Sequence, residues 1–170
     1  VDIRLQRINT RTPPRAITVT READLARLDG GAVFNPAWTT LIGQFSGLRF
    51  MDWQQTNNST LADWADRPMP GDVSYAQGVP VEVIIELANE LGVDPWVNVP
   101  HMADDAFVRA FATLVRDRLD PRLRVYVEFS NEVWNWQFEQ ARWADTEARA
   151  RWGKKDKWMQ LYGLRAARVA

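Results

Sequence analysis

Three short apolar runs, LRFMDW at 48–53, DPWVNVP at 94–100 and LRVYVEF at 123–129, are each followed by sequence with helical spacing. No other feature of the chain constrains its fold so strongly. After the first run a loop rich in Asn, Asp, Pro and Gly, residues 54–80, leads into VEVIIELANELG, where Ile84, Leu87, Ala88 and Leu91 recur at helical spacing before a stop at Gly92. After the second, Asp104 or Asp105 is the expected N-cap of AFVRAFATLVRDRL, with Phe107, Val108, Phe111, Leu114 and Val115 on one face. After the third, WQFEQARWADTEARARWG and KWMQLYGLRAARVA read as helices. Short apolar strands alternating with helices imply parallel pairing, with helices covering the sheet, and so an α/β fold.

A preface precedes this rhythm. DIRLQRI and RAITVT, separated by the turn-prone NTRTPP, alternate as two strands of a hairpin. READLARL then reads as a brief helix, capped by Thr20 and ended by Gly30-Gly31.

Composition narrows the function. A length of 170 residues with 46% apolar content suits one globular domain. The 21 Lys+Arg nearly cancel the 22 Asp+Glu, so no footprint for nucleic acid or an anionic membrane is expected and a neutral ligand fits better. The chain has no cysteine, which excludes disulfides and thiolate metal sites. No apolar run approaches the roughly 20 residues that span a bilayer. VDIRLQRINT lacks the apolar core of a signal peptide, so either the chain is cytoplasmic or it is an internal piece whose export signal lies elsewhere, in which case the whole protein is expected outside the cytoplasm. Phosphate-binding glycine loops, His-Glu-x-x-His and Gly-x-Ser-x-Gly are all missing, and no cofactor or metal is expected. Nine tryptophans with a single histidine point to flat apolar surfaces instead of imidazole chemistry.

Ligands of parallel α/β proteins gather at the carboxyl ends of the strands. All three expected strand ends carry chemistry: Asp52-Trp53-Gln54, then Asn98 with Pro100-His101, then Asn131-Glu132 with Trp134 and Trp136.

These residues carry a resemblance. VEFSNEVWN resembles the Asn-Glu signature ending the fourth strand in the large retaining glycoside hydrolase clan of (β/α)8 barrels, where the Glu is the acid/base. LRF resembles that clan's second strand with its Arg, and NVPH its third strand with its terminal His. More closely, the run from FNPAW through LRFMDWQQTN, WADRP and GVPVEVIIELANELGVDPWVNVPHMADD to YVEFSNEVWNWQFEQARW is similar to uncharacterised bacterial proteins often labelled cellulose-binding or hydrolase-like. The similarity covers about Phe34 to the C-terminus. It implies a partial TIM (β/α)8 barrel, about strands two to four with their helices, over 34–170, and part of a β-rich insertion over 1–33. It also implies a saccharide ligand, a nucleophile on a later strand outside this sequence, and sheet edges covered by the remaining strands or by another chain.

The chemistry can be argued from the residues themselves. Glycoside hydrolysis needs an acid to protonate the leaving oxygen and a second carboxylate opposite. Glu132 suits the first role, and tryptophans around it are expected to desolvate it and hold its proton. Asn131 suits a hydrogen bond to a sugar hydroxyl; Trp53, Trp96, Trp134 and Trp136 offer faces for a pyranose. Plainer readings stand beside these. Asn131 and Glu132 also suit helix initiation. His101 is either a ligand group or structural, and Arg49 either positions Glu132 or pairs with Asp52. Glu128 is expected to pack between strand and helix, and Trp143, Trp152 and Trp158 to serve packing.

Overall fold

The computed structural model describes residues 6–15 and 17–169. The chain divides into two compact units, Val1–Asn35 and Pro36–Ala170.

In the first unit a 3-10 turn, Glu22–Asp24, runs into a short helix α1, Leu25–Asp29. The expected hairpin does not form among the described residues: its first strand lies mostly outside them, and 6–15 and 17–20 contain no strand. Residues 6–15 and 17–23 are all exposed. A two-stranded ribbon with nothing to bury its apolar side is marginal in water. Nor does Thr20 cap the helix. Arg21 occupies the position before the turn, with no side-chain cap, and its guanidinium pairs with Asp24 at 2.6 Å.

The second unit contains α2 (Pro36–Ile42), β1 (Gly47–Arg49), α3 (Val81–Leu91), β2 (Asp94–Val99), α4 (Asp105–Arg118), β3 (Tyr126–Phe129), α5 (Glu139–Trp152) and α6 (Trp158–Val169). The described strands form one open parallel sheet in the order β1-β2-β3. Arg49 lies in register with Trp96, and Trp96 in turn with Tyr126; Asn98 lies opposite Glu128. Residues in register share a face and neighbours along a strand alternate. One face therefore carries Leu48, Pro95, Val97, Val99 and Phe129, and the other Arg49, Trp96, Asn98, Tyr126 and Glu128.

The first of these faces meets the helices. α3 buries Val81, Ile84, Ile85, Leu87 and Ala88 and stops at Gly92, which takes the left-handed conformation at φ 66°. Each fully buried Ile or Leu stabilises by roughly 1.5–3 kcal/mol. α4 buries Phe107, Phe111 and Val115, and the Asp104 carboxylate accepts the Phe107 N–H at 2.6 Å, so Asp104 is the cap and Asp105 is not. α5 and α6 close a small cluster of Val133, Ala144, Ala148 and Leu161, against which Trp143, Trp158 and Tyr162 pack.

The outer edge of the sheet is open. Val125, Tyr126 and Val127 on or beside β3 are 36%, 50% and 46% exposed, where a central parallel strand would be covered on both faces.

Candidate functional site

The site lies at the carboxyl end of the sheet, on the face turned away from the helices. Its centre is Arg49, whose partner is neither of those expected. Its Nη2 donates to Glu128 Oε2 at 2.7 Å and to Asn131 Oδ1 at 2.9 Å, and its Nε donates to the same Glu128 oxygen at 3.2 Å. The guanidinium also lies over the Trp96 ring, 5.2 Å from its centroid. Trp96 Nε1 donates to Glu128 Oε2 at 3.0 Å, giving that oxygen donors from two strands. Glu128 therefore does not pack between strand and helix. Strand parity puts it on the polar face, four residues before Glu132.

Asn131 is held from both ends of its amide. Its Oδ1 accepts from Arg49, its Nδ2 donates to Asn57 Oδ1 at 3.0 Å, and the residue is 4% exposed. Gln140, on the first turn of α5 and wholly buried, completes the clamp. Its Nε2 donates to Asn57 Oδ1 at 2.7 Å and to the Asn131 carbonyl at 2.8 Å, and its Oε1 accepts the Asn58 N–H at 3.0 Å. Asn58 Oδ1 in turn accepts the Glu139 N–H at 2.8 Å. The start of α5 is thus fastened to the loop that follows β1.

That loop is itself anchored. Gln54 brackets the Asn98 backbone, Nε2 to its carbonyl at 2.9 Å and Oε1 from its N–H at 2.8 Å, and Val79 N–H returns to the Trp53 carbonyl at 2.7 Å. Gly78 is required here. At φ 112° its backbone runs so close that a Cβ would lie 2.7 Å from the Gln54 carbonyl oxygen.

Ser130 and Glu132 both take the left-handed conformation, at φ 58° and 40°. Neither is glycine, so each costs of order 1 kcal/mol or more, and such residues persist only where surroundings over-determine them. The clamp on Asn131 between them supplies that constraint. Residues 131–138 consequently turn instead of coiling into a helix. Asn135 N–H bonds the Glu132 carbonyl at 2.8 Å, Asn135 Oδ1 accepts the Gln137 N–H at 3.0 Å, and α5 begins only at Glu139. Asn131 and Glu132 thus do not initiate a helix.

The other expected site residues are distributed as follows. Glu132 is exposed, with its carboxylate accepting from Asn135 Nδ2 at 3.0 Å, so the tryptophans do not desolvate it. Trp134 and Trp136, on the turn, are 59% and 45% exposed. Trp96 is 42% exposed. Trp53 stacks on Trp38 at 5.5 Å, half-buried. Asp52 is exposed in the turn after β1, and the carboxylate that Arg49 meets is Glu128 instead. Asn98 is buried and ties two strand ends, Nδ2 donating to the Ser130 carbonyl at 2.7 Å. His101 is 2% exposed, packed edge-on against Trp143 at 5.4 Å. Burial pushes its pKa down to about 4, which favours the neutral imidazole, and its Nδ1 is buried without a hydrogen-bond partner among the described residues. Trp143 and Trp158 pack as expected, while Trp152 is 38% exposed with Arg151 over its ring.

The sequence reading missed Asn57, Gln140 and the site role of Glu128. The amide run Gln54-Gln55-Thr56-Asn57-Asn58 directly after a strand was the available signal, since a loop built from amides is suited to bind other backbone and amide groups.

Among the described residues no group of three His, Cys, Asp or Glu is placed to hold a metal ion, and no helix is long and apolar enough to cross a membrane. No protein-family model, curated protein or solved structure matches this chain.

Proposed function

We propose that this open sheet is a section of a (β/α)8 barrel of the retaining glycoside hydrolase type, and that its polar face is the floor of a saccharide cleft. In this reading Glu132 is the proton donor to the leaving oxygen, Asn131 orients a sugar hydroxyl, and the exposed rings of Trp134, Trp136 and Trp96 receive the apolar faces of pyranose units. The strands that would complete the barrel, or another chain, cover the exposed β3 edge and bring the second carboxylate. The observation that carries the reading is the clamp on Asn131. Three elements and two strained residues are spent on fixing one amide immediately before an exposed carboxylate at a strand end, where ligand sites of parallel sheets gather.

Glu132 as it stands is in water. A bound sugar excludes that water and provides the desolvation that the tryptophans alone do not. Calorimetry with neutral β-linked oligosaccharides tests the proposal. Trp134→Ala is expected to weaken binding about tenfold, the worth of one aromatic face. Glu132→Gln is expected to leave affinity within about threefold, since a uniform binding contact is not removed, and to abolish any hydrolysis of an aryl glycoside. With the second carboxylate supplied, turnover unchanged in Glu132→Gln refutes the acid role, and the lack of binding by any oligosaccharide refutes the cleft. A binding-only reading draws on the same exposed indoles; it expects the Trp134→Ala loss together with no turnover in any form of the protein.

A further inference from the structure

The charge of the chain is nearly balanced overall, at −1, but it is not evenly placed. The turn between α5 and α6 carries Lys154, Lys155 and Lys157 against a single acid, Asp156, and Arg151 lies in the last turn of α5 before it. Lys154 and Lys155 are exposed and Lys157 half-exposed, and none of the three is within ion-pair distance of a carboxylate among the described residues. The nearby Arg149 differs, being neutralised by Asp145 at 2.6 Å.

This cationic turn adjoins the aromatic surface of the site. Trp158 follows Lys157 directly, and its ring meets the Trp136 ring at 5.2 Å, nearly edge-on at 62°. On the other side of the turn Trp152 is 38% exposed beneath Arg151. Each lysine carries its ammonium on a flexible four-carbon stem, so these exposed groups are free to turn toward an anion held beside the rings. Exposed indoles bordered by unpaired ammonium groups complement a ligand with apolar ring faces and pendant anions.

We propose that the saccharide received at this site is acidic, a uronate-containing chain whose carboxylates pair with Lys154, Lys155 and Lys157 while its rings pack on Trp136 and Trp134. The inference rests on the saccharide reading above and adds the charge of the ligand. The acids nearest in sequence to these rings and lysines are Glu132, Glu139 and Asp156; Glu139 is paired with Arg142 at 2.7 Å, and Glu132 precedes the tryptophans, at the opposite end of the segment from the lysines. They leave the lysine side of the surface positive.

The test compares two ligands of one shape: tetragalacturonate and its fully methyl-esterified form, titrated into the whole protein by tryptophan fluorescence and calorimetry. Surface ion pairs are individually weak, so three together are expected to give the acid about a tenfold advantage at low salt. That advantage should vanish above about 0.3 M salt, where screening is short-ranged, and in the triple variant Lys154→Gln, Lys155→Gln, Lys157→Gln. Equal affinity for the two ligands, or an advantage that survives the triple variant, overturns the acidic ligand while leaving the saccharide cleft intact. Binding of neither ligand, nor of any neutral oligosaccharide, overturns the cleft and the inference with it. A single-stranded oligonucleotide of equal charge that binds more tightly than the tetragalacturonate assigns the surface to nucleic acid, and also overturns it.

Discussion

Gln140 offers the sharpest test of whether the clamp on Asn131 is what holds the strand end. In Gln140→Leu the volume is nearly kept and three hydrogen bonds of 2.7, 2.8 and 3.0 Å are lost. Asn57 Oδ1 retains its bond from Asn131 Nδ2, but the Asn131 carbonyl and the Asn58 N–H are left without the partner they had. The Asn131 carbonyl, in a residue 4% exposed, costs about 1–3 kcal/mol when stranded, and the Asn58 N–H, in an exposed residue, at most about 1 kcal/mol. Burying leucine instead returns about 1–2 kcal/mol. The net loss expected is up to about 3 kcal/mol, read from urea unfolding of the intact chain. Gln140→Glu separates hydrogen bonding from packing. The new carboxylate keeps the acceptor for Asn58 N–H, but it turns an oxygen toward two oxygens that need a donor. In the wholly buried site its pKa rises above the unfolded value of about 4.3. Protons then bind the folded state more strongly, and the variant should recover stability as pH falls from 7 toward 5, opposite to its parent. Wild-type-like stability of both variants at pH 7, or no recovery of Gln140→Glu on acidification, refutes the reasoning.

Two further outcomes follow from single residues. His101 is held neutral with its pKa lowered from 6.5 to about 4; because the unfolded imidazole binds the proton more readily, stability is full above about pH 6.5 and falls until pH reaches about 4, by at most about 3 kcal/mol. His101→Gln should flatten that part of the stability–pH curve, and a curve unchanged in slope between pH 6.5 and 4 counts against a buried neutral histidine. Asp104→Ala removes the cap of α4 and should cost about 1 kcal/mol, a loss of a few degrees in Tm that Asp104→Asn largely restores and Asp105→Ala does not reproduce.

What was legible in the sequence was local. α3 and α4 repeat large apolar side chains at helical spacing, and Gly92, Gly153 and Asp104 do at their termini what their chemistry favours. The strands showed themselves as apolar runs, and their parallel pairing followed from the helices between them. α5 shows where that evidence fails. Its buried face is Gln140, Ala141, Ala144, Asp145 and Ala148, so periodicity reveals a helix but not where it begins: the sequence pattern starts at Trp136, and α5 at Glu139. The contacts that make the site are of a different kind. Arg49 meets Glu128 across 79 residues and Asn131 across 82, and Gln140 meets Asn57 across 83. No local pattern distinguishes an arginine that will find Glu128 from one that will find Asp52. The choice is made by sheet register, which brings Arg49 beside Trp96 and Asn98 beside Glu128.

That register also explains why a polar face can exist on this sheet at all. A parallel sheet is normally buried on both sides, and a lone arginine or glutamate turned into such an interior would be costly. Here the two charges satisfy each other with indole and amide help, and Arg49 and Glu128 keep side-chain exposures of 37% and 21%. In water such a pair stabilises by less than about 1 kcal/mol, too little to account for placing it on the central surface of the sheet. Its geometric effect is larger: with one Glu128 oxygen occupied by Arg49 and Trp96, the guanidinium is fixed in the position that orients Asn131. Glu128→Gln should therefore change stability little while freeing the Asn131 amide, visible as faster hydrogen exchange of its side-chain protons. If that exchange is unaltered, Arg49 holds Asn131 without help from the carboxylate, and the pair has no part in building the site.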